Sequence, residues 1–185
     1  MDREEATARY LENLFRSIGE NPSREGLRQG VDRLMQTQEF LFSGYSRDPK
    51  AVLDSVFSEG ACDEMVVVKR IEFYSMCEHH FLPFFGDISI GYVPDKRVVG
   101  LSNLARLVEI FARRLQIQEQ LTTQIADTLM EVLRPKGAMV VCEALHLCVA
   151  MRGVEKQNAR VVTSAVRGIF KKDSRTRAEF MQLLG

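Results

Sequence analysis

Apolar residues recur at helical spacing through the first part of the chain. Steps of three and four residues, the period of one helix face, separate Leu11, Leu14, Phe15 and Ile18. A second series with the same period lies between Leu27 and Leu41. The pattern predicts two helices, which we interpret as an N-terminal helical arm over residues 1–60.

The period changes after the arm. β-branched and aromatic residues dominate between Met65 and Tyr74, and this composition is typical of a strand. Apolar and polar residues then alternate from Asp87 to Tyr92, which is the pattern of a half-buried strand. We expect these two strands to form a hairpin.

Helical and strand signals follow one another again in the rest of the chain. The pattern predicts a helix capped by Ser102 or Asn103, a helix over about 118–133, strands over 138–148 and about 160–170, and a terminal helix capped by Asp173 or Ser174. Strand pairs with helices between them indicate an α+β fold, an antiparallel sheet with helices on one face. We assign this domain to residues 61–185.

Composition narrows the choice of partners. The chain has 185 residues, 45% of them apolar, with 25 Lys and Arg against 25 Asp and Glu. So much apolar surface excludes intrinsic disorder, and a balanced charge gives no general attraction to nucleic acid. An acidic N-terminus without an apolar signal, and the lack of a membrane-length apolar run, predict a cytoplasmic protein with no membrane partner.

The densest cluster of reactive side chains lies between residues 75 and 86, where Cys77, His79 and His80 occur within four positions. The remaining histidine, His146, is two residues before Cys148. Two residues apart on a strand point to the same side, so these two would face one site. Cys77, His80 and Cys148 would then give zinc three ligands and leave a fourth position open, as in catalytic zinc sites.

Spacing alone leaves other interpretations open. Four ligands, namely Cys77, His79, His80 and Cys148, would build a closed structural site. Cys142 and Cys148 could instead be small buried residues, with the two adjacent histidines in a solvated loop. Disulfides among the four cysteines, which include Cys62, are disfavoured in a reducing compartment.

Five separated motifs resemble GTP cyclohydrolase I of the zinc-dependent type. They are Cys77-Glu78-His79-His80 followed by Pro83, Phe84 and Gly86, then Gly100-Leu101-Ser102, Gln118-Glu119 with Leu121 and Thr122, His146 with Cys148, and Arg152-Gly153. The resemblance runs in register from about residue 65 to residue 180. Five motifs in one order are far more specific than any one of them.

The resemblance implies an activity and the residues that carry it out. The family hydrolyses GTP to 7,8-dihydroneopterin triphosphate and formate, the first step of tetrahydrofolate and other pterin synthesis. By similarity, Cys77, His80 and Cys148 would hold zinc, which lowers the pKa of a bound water towards neutrality. His146 would protonate N7 of guanine, and His79 would act as acid or base in later steps.

Other matched positions would hold the substrate. By the same resemblance, Ser102 would lie near the sugar as a proton donor, Glu119 would accept hydrogen bonds from guanine, and Gln118 would be a further substrate-binding residue. Arg106 and Arg152 match the ligands of the triphosphate. Without the motifs, Ser102 would be a helix N-cap, and both Glu119 and Arg106 would be ordinary surface residues.

One departure from the family pattern concerns the triphosphate. Family members usually carry lysine where this chain has Asn103, and Arg167 stands where an apolar residue is usual. We hypothesise that Arg167 replaces the missing cation. The departure also motivates one alternative, a diverged paralogue acting on another purine nucleotide. A second alternative, of a different class, is a zinc-stabilised oligomer that binds nucleotide without catalysis.

The resemblance also implies an assembly. In the tunnelling fold, the sheets of several subunits join edge to edge into a barrel, and two such rings stack into a homodecamer with active sites between subunits. Such joining would protect the edges of a small antiparallel sheet.

Overall fold

A computed structural model describes residues 2–54, 56–57 and 63–185. It divides into two compact units, Met1–Ser43 and Gly44–Gly185. The functional boundary that the sequence suggests after residue 60 stays a prediction. No helix within the described ranges is both long and apolar enough to cross a bilayer.

The first unit consists of the two predicted helices with a short 3-10 turn at Glu25–Leu27 between them. Helix α1 spans Arg3–Ser17 and helix α2 spans Gly30–Leu41. Asp2 caps α1, because its side chain accepts a hydrogen bond from the backbone N–H of Glu5 at 2.8 Å.

The second unit is an α+β structure, as predicted. Its strands are β1 (Val56–Phe57), β2 (Val66–Cys77), β3 (Pro83–Val93), β4 (Val98–Val99), β5 (Leu115–Gln116), β6 (Gly137–His146) and β7 (Val161–Gly168). Its helices are α3 (Leu101–Ala112), α4 (Gln118–Leu133), α5 (Leu147–Ala150), α6 (Ile169–Lys172) and α7 (Ser174–Leu184), with a 3-10 turn at Ala51–Leu53. A further 3-10 turn, Ser43–Ser46, spans the boundary of the two units.

Five of these strands form one sheet in the order β5-β2-β3-β6-β7. The predicted hairpin of β2 and β3 is confirmed, and all neighbours are antiparallel except β5, which runs parallel to β2. The ends of β2 and β6 and the start of β3 therefore lie at the same end of the sheet. Cys77 and His146 are the last residues of β2 and β6, so the topology brings the two sequence motifs together at this end.

Helices α3 and α4 cover one face of the sheet with their apolar sides. The buried apolar residues of these helices include Leu104, Leu107, Val108, Phe111, Leu121, Ile125 and Leu129. They form one core with residues of the sheet such as Ile88, Ile90 and Val140. The predicted α+β class, consistent with the tunnelling fold, is confirmed.

The C-terminal helix adds cover at one end of the opposite face. Phe180 of α7 and Phe170 are fully buried and pack with Val93 and Met139. Gly91 makes this approach possible, because a Cβ there would lie 2.5 Å from the Phe180 ring. Asp173 caps α7, as predicted, by accepting from the N–H of Arg175 at 2.8 Å.

Two local predictions are wrong. Helix α3 begins at Leu101 with Gly100 as its N-cap, so Ser102 and Asn103 lie inside the first turn and cap nothing. Strand β6 ends at His146, and Leu147–Ala150 forms a helical turn; Cys148 is therefore not on the strand. Continuous apolar character does not distinguish a buried strand from a buried turn.

Candidate metal centre and active site

A tight turn places His80 beside Cys77. The backbone N–H of Cys77 donates to the carbonyl of Leu82, and that of Phe81 donates to the carbonyl of Cys77, both at 2.9 Å. Phe81 has a φ of 53°, in the left-handed region, which lets the chain reverse within so few residues. The turn leaves the Cys77 Sγ 3.7 Å from the His80 Nδ1.

The helical turn α5 brings Cys148 to the same place. The Cys77 Sγ, the Cys148 Sγ and a ring nitrogen of His80 all lie within 4.8 Å of one another. The two cysteines and one histidine that the sequence analysis grouped are thus brought together, although by a turn and not by alternation along a strand.

The donor set fits a single zinc ion. Tetrahedral zinc bonds of ordinary length to sulfur and nitrogen separate the donor atoms by about 3.5 to 3.8 Å, and the Cys77–His80 separation is 3.7 Å. Burial raises the pKa of the Cys148 thiol, the neighbouring Cys77 raises it further, and the Arg152 guanidinium opposes both. Because two thiolates this close repel each other, a cation between them would favour their ionised forms.

His79 is not part of this group. Among the residues that the structure describes, the possible metal-binding group contains Cys77, His80 and Cys148 only. The His79 Nε2 lies 3.8 Å from a Glu78 carboxylate oxygen, and its side chain is 61% exposed. The geometry therefore gives no support to the four-ligand structural site.

The donor residues open onto a small pocket. Its volume is about 180 Å³, and it is also lined by four other predicted site residues, His79, Gln118, Glu119 and His146. Gln118 and Glu119 reach it because α4 starts directly after β5, whose Gln116 pairs with Cys77.

His146 is held from two sides in this pocket. Its ring stacks on the ring of Phe84, with centroids 4.6 Å apart and planes 6° from parallel. Its Nε2 lies 2.7 Å from the Gln118 Oε1. Burial lowers the pKa of His146, and the Glu119 carboxylate partly offsets this effect, so the neutral ring is favoured near neutral pH.

The other predicted residues do not line this pocket, although Arg152 lies close enough for its charge to act on the Cys148 thiol. Within the described part of the chain, Ser102, Arg106 and Arg152 do not line it, and all three are exposed. The Arg106 Nη1 donates to the Oδ1 of Asn103 at 2.8 Å. Their predicted roles towards substrate stay predictions.

Arg167, the suggested replacement cation, has another partner. Its Nε donates to an Asp127 carboxylate oxygen at 2.6 Å, and its Nη1 donates to the Val166 carbonyl. This contact joins β7 to α4. The guanidinium of Arg167 is thus already paired with a carboxylate of the same chain. The structure therefore gives the replacement hypothesis no support.

Comparison with known proteins agrees with this site. The family model for GTP cyclohydrolase I matches residues 7–185. The chain belongs to the GTP cyclohydrolase I family.

Relatives from several bacteria match nearly the whole chain. GTP cyclohydrolase 1 of Wolinella succinogenes is 63% identical over 97% of this chain and 96% of its own length. The proteins of the same name from Helicobacter pylori strain G27 and Helicobacter hepaticus are 56% and 58% identical, each over 95% of this chain, and this covers 97% and 84% of their lengths. A solved archaeosine synthase QueF-Like, in the apo form, aligns with 56% of this chain and 93% of its own at a TM-score of 0.45 and 17% identity, too weak a likeness to add to the assignment.

Some side chains that shape the site of this family member were not predicted. Phe84 was noted only as part of a motif, although its position opposite His146 in the sheet follows once the two strands are paired. Thr163 contacts Gln118 from a strand 45 residues away, and no sequence spacing points to it.

The remaining described cysteine provides a test of which thiols are reactive. Burial raises the pKa of the Cys142 thiol to about 12, with Asp87 adding to the effect, so the thiol stays neutral near pH 8. After metal removal, we expect iodoacetamide to label Cys148, which is partly exposed, and to leave the buried Cys142 unlabelled in the native protein, because the reaction needs a thiolate that the reagent can reach. Mass spectrometry of the peptides measures this, and equal labelling of both would contradict the assignment. Cys62 lies outside the described residues.

The raised pKa of Cys142 also predicts how the stability of the protein changes with pH. Between the ordinary thiol pKa of about 8.5 and the raised value, the unfolded chain loses the Cys142 proton while the native state keeps it. The raised pKa of Cys142 therefore stabilises the native state fully below about pH 8.5, and this stabilisation is lost as the pH rises from there to the raised pKa. Cys142→Ala should remove this part of the decline, which denaturant titrations at two alkaline pH values would measure.

Proposed function

We propose that this chain hydrolyses GTP to 7,8-dihydroneopterin triphosphate and formate, using zinc held by Cys77, His80 and Cys148. The observation that carries the proposal is the presence of this donor group in one pocket with His146 and Glu119. The names of the relatives that match nearly the whole chain support the same substrate.

Zinc is the metal that best suits the three donors. Thiolates and imidazole are its preferred ligands, and three protein ligands leave one position open, as catalytic sites require. When bound, zinc supplies a water that ionises near neutral pH, the nucleophile needed at C8 of guanine.

His146 is the proposed proton donor to N7 of guanine. The ring is fixed by Phe84 and Gln118, so it can present a proton in a defined direction. His79, exposed beside the same pocket, is proposed to transfer protons in the later steps, when the ribose opens and the pterin ring closes. Ser102 is proposed to donate a proton to the sugar in those steps.

Glu119 is proposed to hold the guanine ring. A carboxylate offers two acceptors, which match the N1–H and the 2-amino group. Glu119 lines the pocket, and its charge acts on His146. Its carboxylate is therefore available to a guanine ring bound near the donor group. Gln118 stays a predicted substrate-binding residue as well.

GTP needs more room than this pocket provides. Pockets for ligands of this size measure about 300 to 1,000 Å³, whereas this pocket measures about 180 Å³. We therefore propose that a second copy completes the site, in a homodecamer, and that Arg106 and Arg152 bind phosphates there. A cytoplasmic location and a place in tetrahydrofolate and pterin synthesis belong to the same proposal.

Turnover of GTP by the purified, zinc-loaded oligomer tests the proposal. We expect stoichiometric release of formate and, after oxidation, the fluorescence of a pterin. Protein treated with a chelator should be inactive until zinc is restored. Release of formate from another purine nucleotide but not from GTP would favour the diverged paralogue, and bound zinc without any turnover would favour the non-catalytic oligomer.

A further inference from the structure

The amide of Gln118 has only one possible orientation. Its Nε2 lies 3.1 Å from the Cys142 carbonyl, 2.9 Å from the Val161 carbonyl and 3.2 Å from the Thr163 hydroxyl. Backbone carbonyls accept hydrogen bonds and never donate them. A rotated amide would press its oxygen against two carbonyl oxygens, so the nitrogen must occupy this side.

Two threonines close the network around this amide. The Thr122 hydroxyl donates to the backbone carbonyl of Gln118 at 2.7 Å, and the hydroxyls of Thr122 and Thr163 lie 2.7 Å apart. Since Thr122 has already used its proton, Thr163 donates to Thr122 and accepts from Gln118. Gln118 and Thr122 are each only 1% exposed, so water does not compete for these bonds.

The orientation of the amide determines the state of His146. Oε1 of Gln118 faces the Nε2 of His146 at 2.7 Å, and an amide oxygen can only accept. Nε2 must therefore carry a proton. Stacking on Phe84 at 6° keeps the ring in the plane that this hydrogen bond requires.

We infer that Gln118 is a positioning residue that keeps a proton on Nε2 of His146, which leaves Nδ1 as the nitrogen that exchanges a proton with the substrate. The inference deepens the proposed function and rests on it for the role of Nδ1. In the proposed step, Nδ1 first takes up a proton from solvent water, which makes the ring a cation; the Nδ1–H bond then breaks as the N7–H bond of guanine forms, and His146 is left neutral with its proton on Nε2. Contact between Gln118 and the substrate is not needed for this role.

Nitrogen-15 NMR of the zinc-loaded protein tests the inference without any turnover. The chain has three histidines. In solid-state spectra of nitrogen-15-labelled protein, the signals that disappear in His146→Asn belong to His146. At about pH 8.5, where an ordinary histidine is neutral, we expect a protonated Nε2 and an unprotonated Nδ1 at His146. The opposite tautomer would overturn the inference, whether or not the protein releases formate from GTP.

A pair of matched variants separates positioning from substrate binding. Gln118→Met removes the acceptor while keeping the shape, so we expect a mixture of His146 tautomers and a loss of kcat of about 10- to 100-fold, with KM for GTP within about threefold. Gln116→Met is the control, because Gln116 is another buried glutamine of the pocket that bonds Phe111 and Gln124 instead; the His146 tautomer should stay unchanged. A raised KM with an unchanged tautomer in Gln118→Met would contradict the inference, and the spectrum of the unmodified protein decides the matter should this variant not fold.

Discussion

Cys148→Ser is expected to release the metal and to lower formate production from GTP by more than about a hundredfold. Changes to residues that merely orient metal ligands cost about 10- to 100-fold, and this change removes a ligand itself. The remaining Cys77 and His80 come from one turn and would hold zinc weakly. Zinc content by mass spectrometry and initial rates of formate release, measured on the same preparation, check both parts.

Cys142→Ala is the matched control for that variant. Cys142 is completely buried and lies outside the donor group, so its loss should leave zinc content unchanged and the rate within about threefold of the original. Full activity in Cys148→Ser, or loss of zinc from both variants alike, would contradict the proposed ligand set.

His146→Asn is expected to lower kcat by about 10²- to 10⁴-fold, the usual contribution of a positioned general acid. Asparagine keeps a polar side chain but cannot deliver a proton to N7. Because His146 is not among the three donors, zinc content and the affinity for GTP should change little. Single-turnover rates and equilibrium binding of GTP distinguish the two effects.

Phe84 supplies a useful comparison for this variant. Phe84→Leu removes the ring that stacks on His146 but leaves the imidazole, so its rate should lie between those of the original protein and His146→Asn. If His146→Asn kept more than about a tenth of the original kcat, another residue would have to supply the proton.

Local patterns were sufficient for much of the fold. The predicted helix over about 118–133 corresponds to α4, Gln118–Leu133, because its apolar period is long and regular. The predicted start of α3 is wrong. Residues 102 and 103 are good capping types, but the extended backbone of Gly100 already precedes the helix and serves as its N-cap.

The candidate site needed more than spacing. Cys77 and His80 can be paired from sequence because a short turn joins them, whereas Cys148 was added through a strand alternation that the structure does not have and through the resemblance to a family. The true reason for its proximity, the turn α5 after β6, carries no distinctive pattern. The partner of Arg167 was equally out of reach, because Asp127 lies 40 residues away on a different element.

The metal environment is the most direct test of the account. An X-ray absorption spectrum at the zinc edge should show two sulfur ligands at about 2.3 Å and two nitrogen or oxygen ligands at about 2.0 to 2.1 Å, with scattering from a single imidazole, and His79→Asn should not change it. Two imidazoles in this spectrum, one of them lost in His79→Asn, would show a closed four-ligand site and contradict the hydrolytic mechanism.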